Sequence, residues 1–146
     1  MIYYSYENFK NDTQKLITEV KEFQPETIVA VARGGLTLAH AMAEGLDIRA
    51  VDCIRTELYD GDIKRETIRI FGECDLEGKT RVLVVDDIAD SGDTLFAIMQ
   101  KLTSENPEIV FKTATLFYKK SSVHQPDFSV NEALDWIDFF WDRDFK

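Results

Sequence analysis

The chain has 146 residues, 45% of them hydrophobic and 30% charged, with 27 acidic side chains against 17 basic ones and a net charge of −10. That length gives room for one domain with one substantial core, and the apolar content excludes a disordered chain. The acidic balance, with an isoelectric point near 4.6, argues against nucleic acid as a partner, because a basic face is the usual footprint.

From Tyr6 to Phe23, the residues Phe9, Leu16, Ile17, Val20 and Phe23 fall on one helical face, and Gln24-Pro25 ends the helix. Thr27 to Ala32 (TIVAVA) reads as a short buried strand, followed by a tight turn at Arg33-Gly34-Gly35. Leu36 to Glu44 predicts a helix closed by Gly45, and Ile48 to Ile54 a second strand. Glu57 to Arg65 is polar and expected to be mobile, with Thr67 to Phe71 pairing as a strand after it. Leu76-Glu77-Gly78-Lys79 turns into a strand from 81 to 86, and a helix follows near 94–104. Asn106-Pro107 breaks the chain before a strand from Ile109 to Tyr118, and the tail from Ser121 to Lys146 is aromatic-rich and less regular. Strands alternating with helices imply an α/β fold in one domain, residues 1–146: a mostly parallel twisted sheet flanked by helices, with right-handed crossovers.

No run approaches the length of a membrane span, and the start, MIYYSYENFKND, reads as neither signal peptide nor anchor. Cys53 and Cys74 make a poor metal motif and read as reduced thiols. A cytoplasmic protein without stable membrane insertion is expected.

The most informative stretch is Val82 to Thr94, VLVVDDIADSGDT. A buried strand runs into Asp86-Asp87, and Ser91-Gly92-Asp93-Thr94 opens a helix, so an acidic pair and a small-residue loop sit where ligands bind in open α/β sheets. The loop offers backbone N–H groups and two hydroxyls at a helix N-terminus, a setting that favours a phosphate. Asp86 and Asp87 would repel bare phosphate; they suit a sugar diol or a hydrated Mg²⁺ shared with substrate phosphates. Asp90 stands at the mouth of the loop as a candidate proton acceptor. The plainer alternative is that Val-Asp-Asp ends a strand and caps a helix. A receiver-type acidic pocket also follows such a strand, but that strand opens its domain, and here it begins only at Arg81. Arg33-Gly34-Gly35 offers a second anion site after a buried strand, its glycines admitting the backbone and its guanidinium gripping oxygens in a fork. His40 and His124 play no part in these patterns.

The stretch from Val82 to Thr94 resembles the signature by which type I phosphoribosyltransferases bind phosphoribosyl pyrophosphate (PRPP). One departure is Asp93, where many members carry Gly; a side chain there implies that no positive φ is needed. VARGGL resembles the pyrophosphate loop of the bacterial xanthine–guanine (6-oxopurine) branch, in which a non-proline cis peptide is common and would fall at Ala32-Arg33. Phe117-Tyr118-Lys119 and Trp136-Ile137-Asp138-Phe139-Phe140-Trp141-Asp142 resemble that branch's base-recognition segments.

The resemblance implies a purine-salvage enzyme that transfers 5-phosphoribosyl from PRPP to N9 of guanine, xanthine or hypoxanthine, releasing pyrophosphate. Arg33 and Asp90 would be catalytic, with Gly34 and Gly35 at the pyrophosphate. Asp86 and Asp87 would hold the ribose hydroxyls and Mg²⁺. Ile88, Ala89 and Asp90 would continue the loop, and Ser91, Gly92, Asp93 and Thr94 would anchor the 5-phosphate. A C-terminal hood from about residue 119 would bind the purine. There Lys119 would read O6, with Lys120 its rival by one residue of register; Trp136 would stack, and the main chain at Ile137 and Asp138 would meet the 2-position edge. A carboxylate at Asp138 near N2 would favour guanine. Trp141 and Phe140 read as core. ELYDGDIKRE lies where the family has its flexible loop, so Tyr59, Asp60, Lys64 and Arg65 would close over PRPP. A homo-oligomer, dimer or tetramer, is implied. Two alternatives stay open: a PRPP- or nucleotide-sensing regulator on the same fold, and an enzyme for another base such as adenine, orotate or uracil.

Overall fold

The structure is a computed structural model that describes residues 1–60 and 66–146, apart from the side chains of Tyr59, Asp60 and Glu66. The chain opens with strand β1 (Ile2–Tyr4), helix α1 (Tyr6–Val20) and one 3-10 turn (Lys21–Phe23), then β2 (Thr27–Ala32), α2 (Leu36–Leu46), β3 (Val51–Asp60) and β4 (Glu66–Phe71). It continues through β5 (Arg81–Val85), β6 (Ile88–Ala89), α3 (Asp93–Glu105), β7 (Val110–Tyr118), β8 (Phe128–Glu132), β9 (Ile137–Phe139) and α4 (Phe140–Arg143).

The expected architecture is present: among the described residues a seven-stranded sheet runs β4-β3-β2-β5-β7, with β6 and β8 both pairing β7. Every pairing in it is parallel except β3 with β4. Alternation along β2 and β5 explains why both strands read as continuous apolar runs. Ile28, Ala30, Leu83 and Val85 join the core beneath α1 and α2, whereas Val29, Val31, Val82 and Val84 join the core beneath α3. Glu26 ties the start of β2 to β5, accepting from Thr80 N–H (2.7 Å), Thr80 Oγ1 (2.8 Å) and Arg81 N–H (2.9 Å). Those bonds, first of all the Thr80 N–H, hold its carboxyl down at about 2.

One register detail shapes the site. Ala114 pairs with Val85 on one side and Phe128 on the other, and Phe117 pairs with both Ile88 and Asn131. Strands β5 and β6 therefore run along the same edge of β7, as one strand interrupted by Asp86 and Asp87. The interruption is held by β7: Asp86 N–H donates to the Ala114 carbonyl (3.2 Å), and the Asp87 carbonyl accepts from Leu116 (3.0 Å) and Phe117 (3.2 Å).

Several boundaries differ from the sequence expectation. The first helix gives way after Val20 to the 3-10 turn, and Gln24 closes it with φ 53°. Gly45 does not end α2; the helix runs to Leu46, and Asp47 takes the left-handed cap at φ 55°. Gly45 instead admits α1, since a Cβ there would lie 2.3 Å from Ile17 Cδ1. The strand expected at Ile48 begins at Val51, and Glu57 to Asp60 extends it by pairing antiparallel with β4. The tail is more regular than its composition implied. Strand β9 pairs parallel with β1 (Ile2 with Ile137, Tyr4 with Phe139), joining opposite ends of the chain. No helix among the described residues is long and apolar enough to cross a membrane.

Among the described glycines, Gly35 makes the tightest approach to other backbone. A Cβ there would lie 2.5 Å from the Val85 carbonyl oxygen, 2.8 Å from that of Val31 and 2.9 Å from Asp86 Cα, all backbone atoms that cannot step aside. Gly35→Ala is expected to lower stability by about 1–3 kcal/mol, the usual cost of overpacking. Urea titration checks this, and an unchanged midpoint would refute it.

Candidate active site

Three loops converge beyond the carboxyl ends of β2, β5 and β7. The first begins with a cis peptide at Ala32-Arg33, as the resemblance implied. Gly35 N–H donates to the Val31 carbonyl (2.8 Å) and Leu36 N–H to that of Arg33 (3.0 Å), which folds the loop tightly onto α2. Gly35 caps α2 without a side-chain bond, and Arg33 beside it is exposed.

The second loop carries the acid pair. Asp86 Oδ1 accepts the Asp87 N–H at 2.8 Å. The Asp87 carboxylate packs directly on Gly34, where a Cβ would stand 2.4 Å from Oδ2. The first and second loops therefore touch at Gly34 and Asp87, and the glycine is what leaves room for the carboxylate. Burial, reinforced by the neighbouring Asp87, pushes the Asp86 carboxyl well above the usual carboxylate range. Burial also raises Asp87. The pair is concentrated negative charge that lacks a compensating cation among the described side chains.

The loop then runs through Ile88, Ala89 and Asp90 into α3. Gly92 has φ 85°, and a Cβ there would lie 2.3 Å from Ser122 Oγ and 2.6 Å from His124 N. That contact and the Val123 N–H bond to the Ser91 carbonyl (2.9 Å) fix the loop against the segment after β7. Ser91 Oγ accepts from Asp93 N–H at 3.2 Å. Asp93 is the first residue of α3, a helical position, which accords with a side chain where many relatives carry glycine.

The tail supplies the third side. A cleft of about 200 Å³ is lined by Asp87, Ile88, Asp90 and Lys119 together with Asp135, Trp136, Ile137, Phe139 and Asp142. Trp136 is 70% exposed, its ring free to meet a planar ligand, while Ile137 is buried. Lys119 faces the cleft with Nζ 2.6 Å from Asp90 Oδ1, whereas Lys120 turns to Glu132 at 3.6 Å. Asp138 does not line the cleft; its carboxylate accepts from Arg143 at 2.5 Å. Trp141 stacks on Phe139 with centroids 4.7 Å apart, and with Phe140 it packs against the core. A second cleft of about 470 Å³, lined by Arg33, Gly34, Thr37, Phe139 and Trp141 among others, adjoins the first at Asp87. A cavity of about 370 Å³ beside Cys74 and Lys101 shares no residue with either.

The structure thus brings Arg33, Gly34, Asp86 to Thr94, Lys119, Trp136 and Ile137 to one end of the sheet. Tyr59 and Asp60 occupy the last positions of β3, paired with Thr67 and Glu66. Lys64 and Arg65 lie outside the described residues. Sequence reasoning missed Phe139, Asp135 and Asp142 as lining residues. Phe139 shares a strand face with Ile137 two residues earlier, so period-two spacing carried its signal. His124 lies apart, its Nε2 2.8 Å from Thr113 Oγ1 and its pKa lowered by burial.

Comparison with known proteins decides the family. The phosphoribosyl transferase domain family matches residues 4–145. The chain belongs to this family. It is 32% identical to the xanthine–guanine phosphoribosyltransferase of Idiomarina loihiensis, over 94% of this chain and 84% of that protein. Among solved structures, the Helicobacter pylori xanthine–guanine–hypoxanthine phosphoribosyltransferase superposes with a TM-score of 0.91 at 35% identity, over 99% and 95% of the two chains. A purine phosphoribosyltransferase from Pyrococcus horikoshii superposes at 0.86 and 30% identity, over 97% and 93%.

The acid pair makes a stability prediction. A carboxyl whose folded pKa is raised stabilises the fold below its unfolded pKa, and that contribution is lost as pH climbs through the folded value. At pH 7, above the unfolded pKa, the Asp86 carboxyl therefore opposes folding. Asp86→Asn should raise the urea midpoint at pH 7 in chelator-containing buffer. The gain should fade towards about pH 4, where unfolded carboxyls also bind protons. A lower midpoint at pH 7 would refute the charge argument.

Proposed function

We propose that this chain is a purine-salvage phosphoribosyltransferase that joins PRPP to N9 of a 6-oxopurine (guanine, xanthine or hypoxanthine) and releases pyrophosphate and the nucleoside monophosphate. The observation that carries this reading is the meeting of two clefts at Asp87. One has an anion-seeking loop at Arg33, and the other has a cation, Lys119, beside an exposed indole, Trp136.

In this reading Ser91 to Thr94 hold the 5-phosphate at the N-terminus of α3 and so fix the ribose. Asp86 and Asp87 accept hydrogen bonds from the 2- and 3-hydroxyls. As the bond from C1 to pyrophosphate lengthens, positive charge develops on the ribosyl group, and the acid pair favours it electrostatically. Arg33 and the neighbouring N–H groups take up the charge leaving with pyrophosphate. Lys119, which has only donors, addresses O6 of the purine and not a 6-amino group. Trp136 stacks on the ring, and Ile137 presents main chain to the 2-position edge. Asp90 takes the N7 proton as N9 attacks C1.

The acid pair also suits Mg²⁺. Its raised proton affinity marks charge that a divalent cation would neutralise. Among the described residues no group of three or more His, Cys, Asp or Glu could hold a metal alone. Asp86 and Asp87 would supply part of a shell completed by substrate oxygens and water, as Mg²⁺ prefers. When bound, the ion would neutralise charge on the leaving pyrophosphate. A cytoplasmic homo-oligomer, dimer or tetramer, with neither nucleic acid nor membrane as partner, completes the reading.

The test is pyrophosphate release from PRPP and Mg²⁺ across guanine, xanthine, hypoxanthine, adenine, orotate and uracil. Release with one or more 6-oxopurines is expected, and release with another base alone would overturn the role of Lys119. Bound PRPP with no release across the panel would point to a sensor. Asp90→Asn should keep PRPP affinity while lowering turnover by about 10²–10⁴-fold, the range of a positioned base. Unchanged turnover would remove Asp90 from the chemistry.

A further inference from the structure

We propose that the Lys119–Asp90 ion pair is a catch on the site's base: it occupies Asp90 while the purine cleft is empty and so suppresses hydrolysis of PRPP. The inference rests on the phosphoribosyl-transfer reading above.

The geometry is specific. Lys119 Nζ lies 2.6 Å from Asp90 Oδ1, and both residues line the same cleft. The lysine backbone is fixed to the loop that carries Asp90, because Lys119 N–H donates to the Ala89 carbonyl at 2.9 Å. Its neighbour Lys120 is directed to Glu132 and does not compete for Asp90. The two side chains are about half exposed, at 43% and 55%. A pair so exposed contributes little to stability, so the fold gives no strong reason for placing it at the mouth of this cleft.

A 6-oxopurine offers two complementary groups: O6, which accepts from the ammonium, and the N7 proton, which the carboxylate takes. Its arrival exchanges one Lys119–Asp90 contact for two contacts with the base and releases the carboxylate when a productive nucleophile is in place. A 6-amino group has no acceptor for Lys119, so the ion pair persists. Water brings no partner for the lysine at the span of a purine. Hydrolysis would form a bond from the water oxygen to C1 as the bond from C1 to pyrophosphate breaks, its electron pair leaving with pyrophosphate. The water proton would pass to Asp90, giving ribose 5-phosphate. While the ammonium engages Asp90, that proton acceptor is blocked.

The experiment measures ribose 5-phosphate formed from PRPP and Mg²⁺ without purine, alongside transfer to the best 6-oxopurine. Lys119→Met keeps the length of the side chain but has no donor. It should raise hydrolysis by about tenfold, a fraction of what a freed base can contribute, while transfer falls. Lys119→Arg, which retains the ion pair, should raise hydrolysis less than Lys119→Met does. The double variant Lys119→Met with Asp90→Asn should lose the increase. A merely structural role for Lys119 would depress both reactions together. Hydrolysis in Lys119→Met equal to or below wild type, or an increase that survives in the double variant, would overturn the catch. Wild-type transfer in the same assay separates that result from failure of the functional reading. If the wild type transfers to no 6-oxopurine, the reading falls and the catch falls with it.

Discussion

Two adjacent carboxylates in the middle of an interrupted strand are the constraint around which the rest of this structure is arranged. Asp86 and Asp87 break the edge that β5 and β6 share along β7, and β7 answers with backbone bonds to both residues. The opposing loop has to stay thin. Gly34 clears the Asp87 carboxylate, and Gly35 lets α2 start against the carbonyls of Val31 and Val85. Arg33 and Asp87 thereby line one cleft at the start of α2. Positive and negative elements stand side by side without neutralising one another, as suits a ligand that carries both hydroxyls and phosphates.

The sheet was legible in the sequence because its signals are local. TIVAVA and VLVV are apolar runs that need two covered faces, and each is followed at once by the glycines or acids of its loop. The acidic pair, the Ser91–Thr94 loop and the Arg-Gly-Gly turn are legible in the sequence, since a strand–loop–helix junction sets all three by short-range geometry. Helix ends were less legible. Gly45 looked like a terminator, yet its missing side chain serves the packing of α1 on α2, and Asp47 provides the left-handed residue.

The hood was the part least visible, for a topological reason. Strand β9 has only three residues and is completed by β1 from the other end of the chain. Ile2 N–H donates to the Trp136 carbonyl at 2.8 Å. Tyr4 sets its ring edge-on to Phe117 and Phe139, with centroids 5.0 and 5.7 Å away. Tyr4 Oη also donates to Asp12 at 2.6 Å, and burial raises its pKa far above the ordinary value. No window of sequence around Trp136 contains this partner strand. The choice between Lys119 and Lys120 was similarly closed to sequence, because it turns on one residue of register along β7. In the structure Lys119 lies beside Asp90 and Lys120 beside Glu132.

In the proposed reaction, Asp86 and Asp90 would take two different duties from one short loop. Asp86 is half-buried beside a second acid, so its charge is destabilising until something positive arrives. Asp90, four residues later, is exposed and paired with Lys119. The first arrangement suits a group that must attract and hold a polyhydroxylated, cation-associated substrate. The second suits a group that must be free at one moment of the reaction and occupied at the others. Environments that set two carboxylates apart in this way are how sites divide binding from proton transfer. The division here follows from β6: the two residues Ile88 and Ala89 return the chain to β7 and carry it out of the buried break before Asp90 meets solvent.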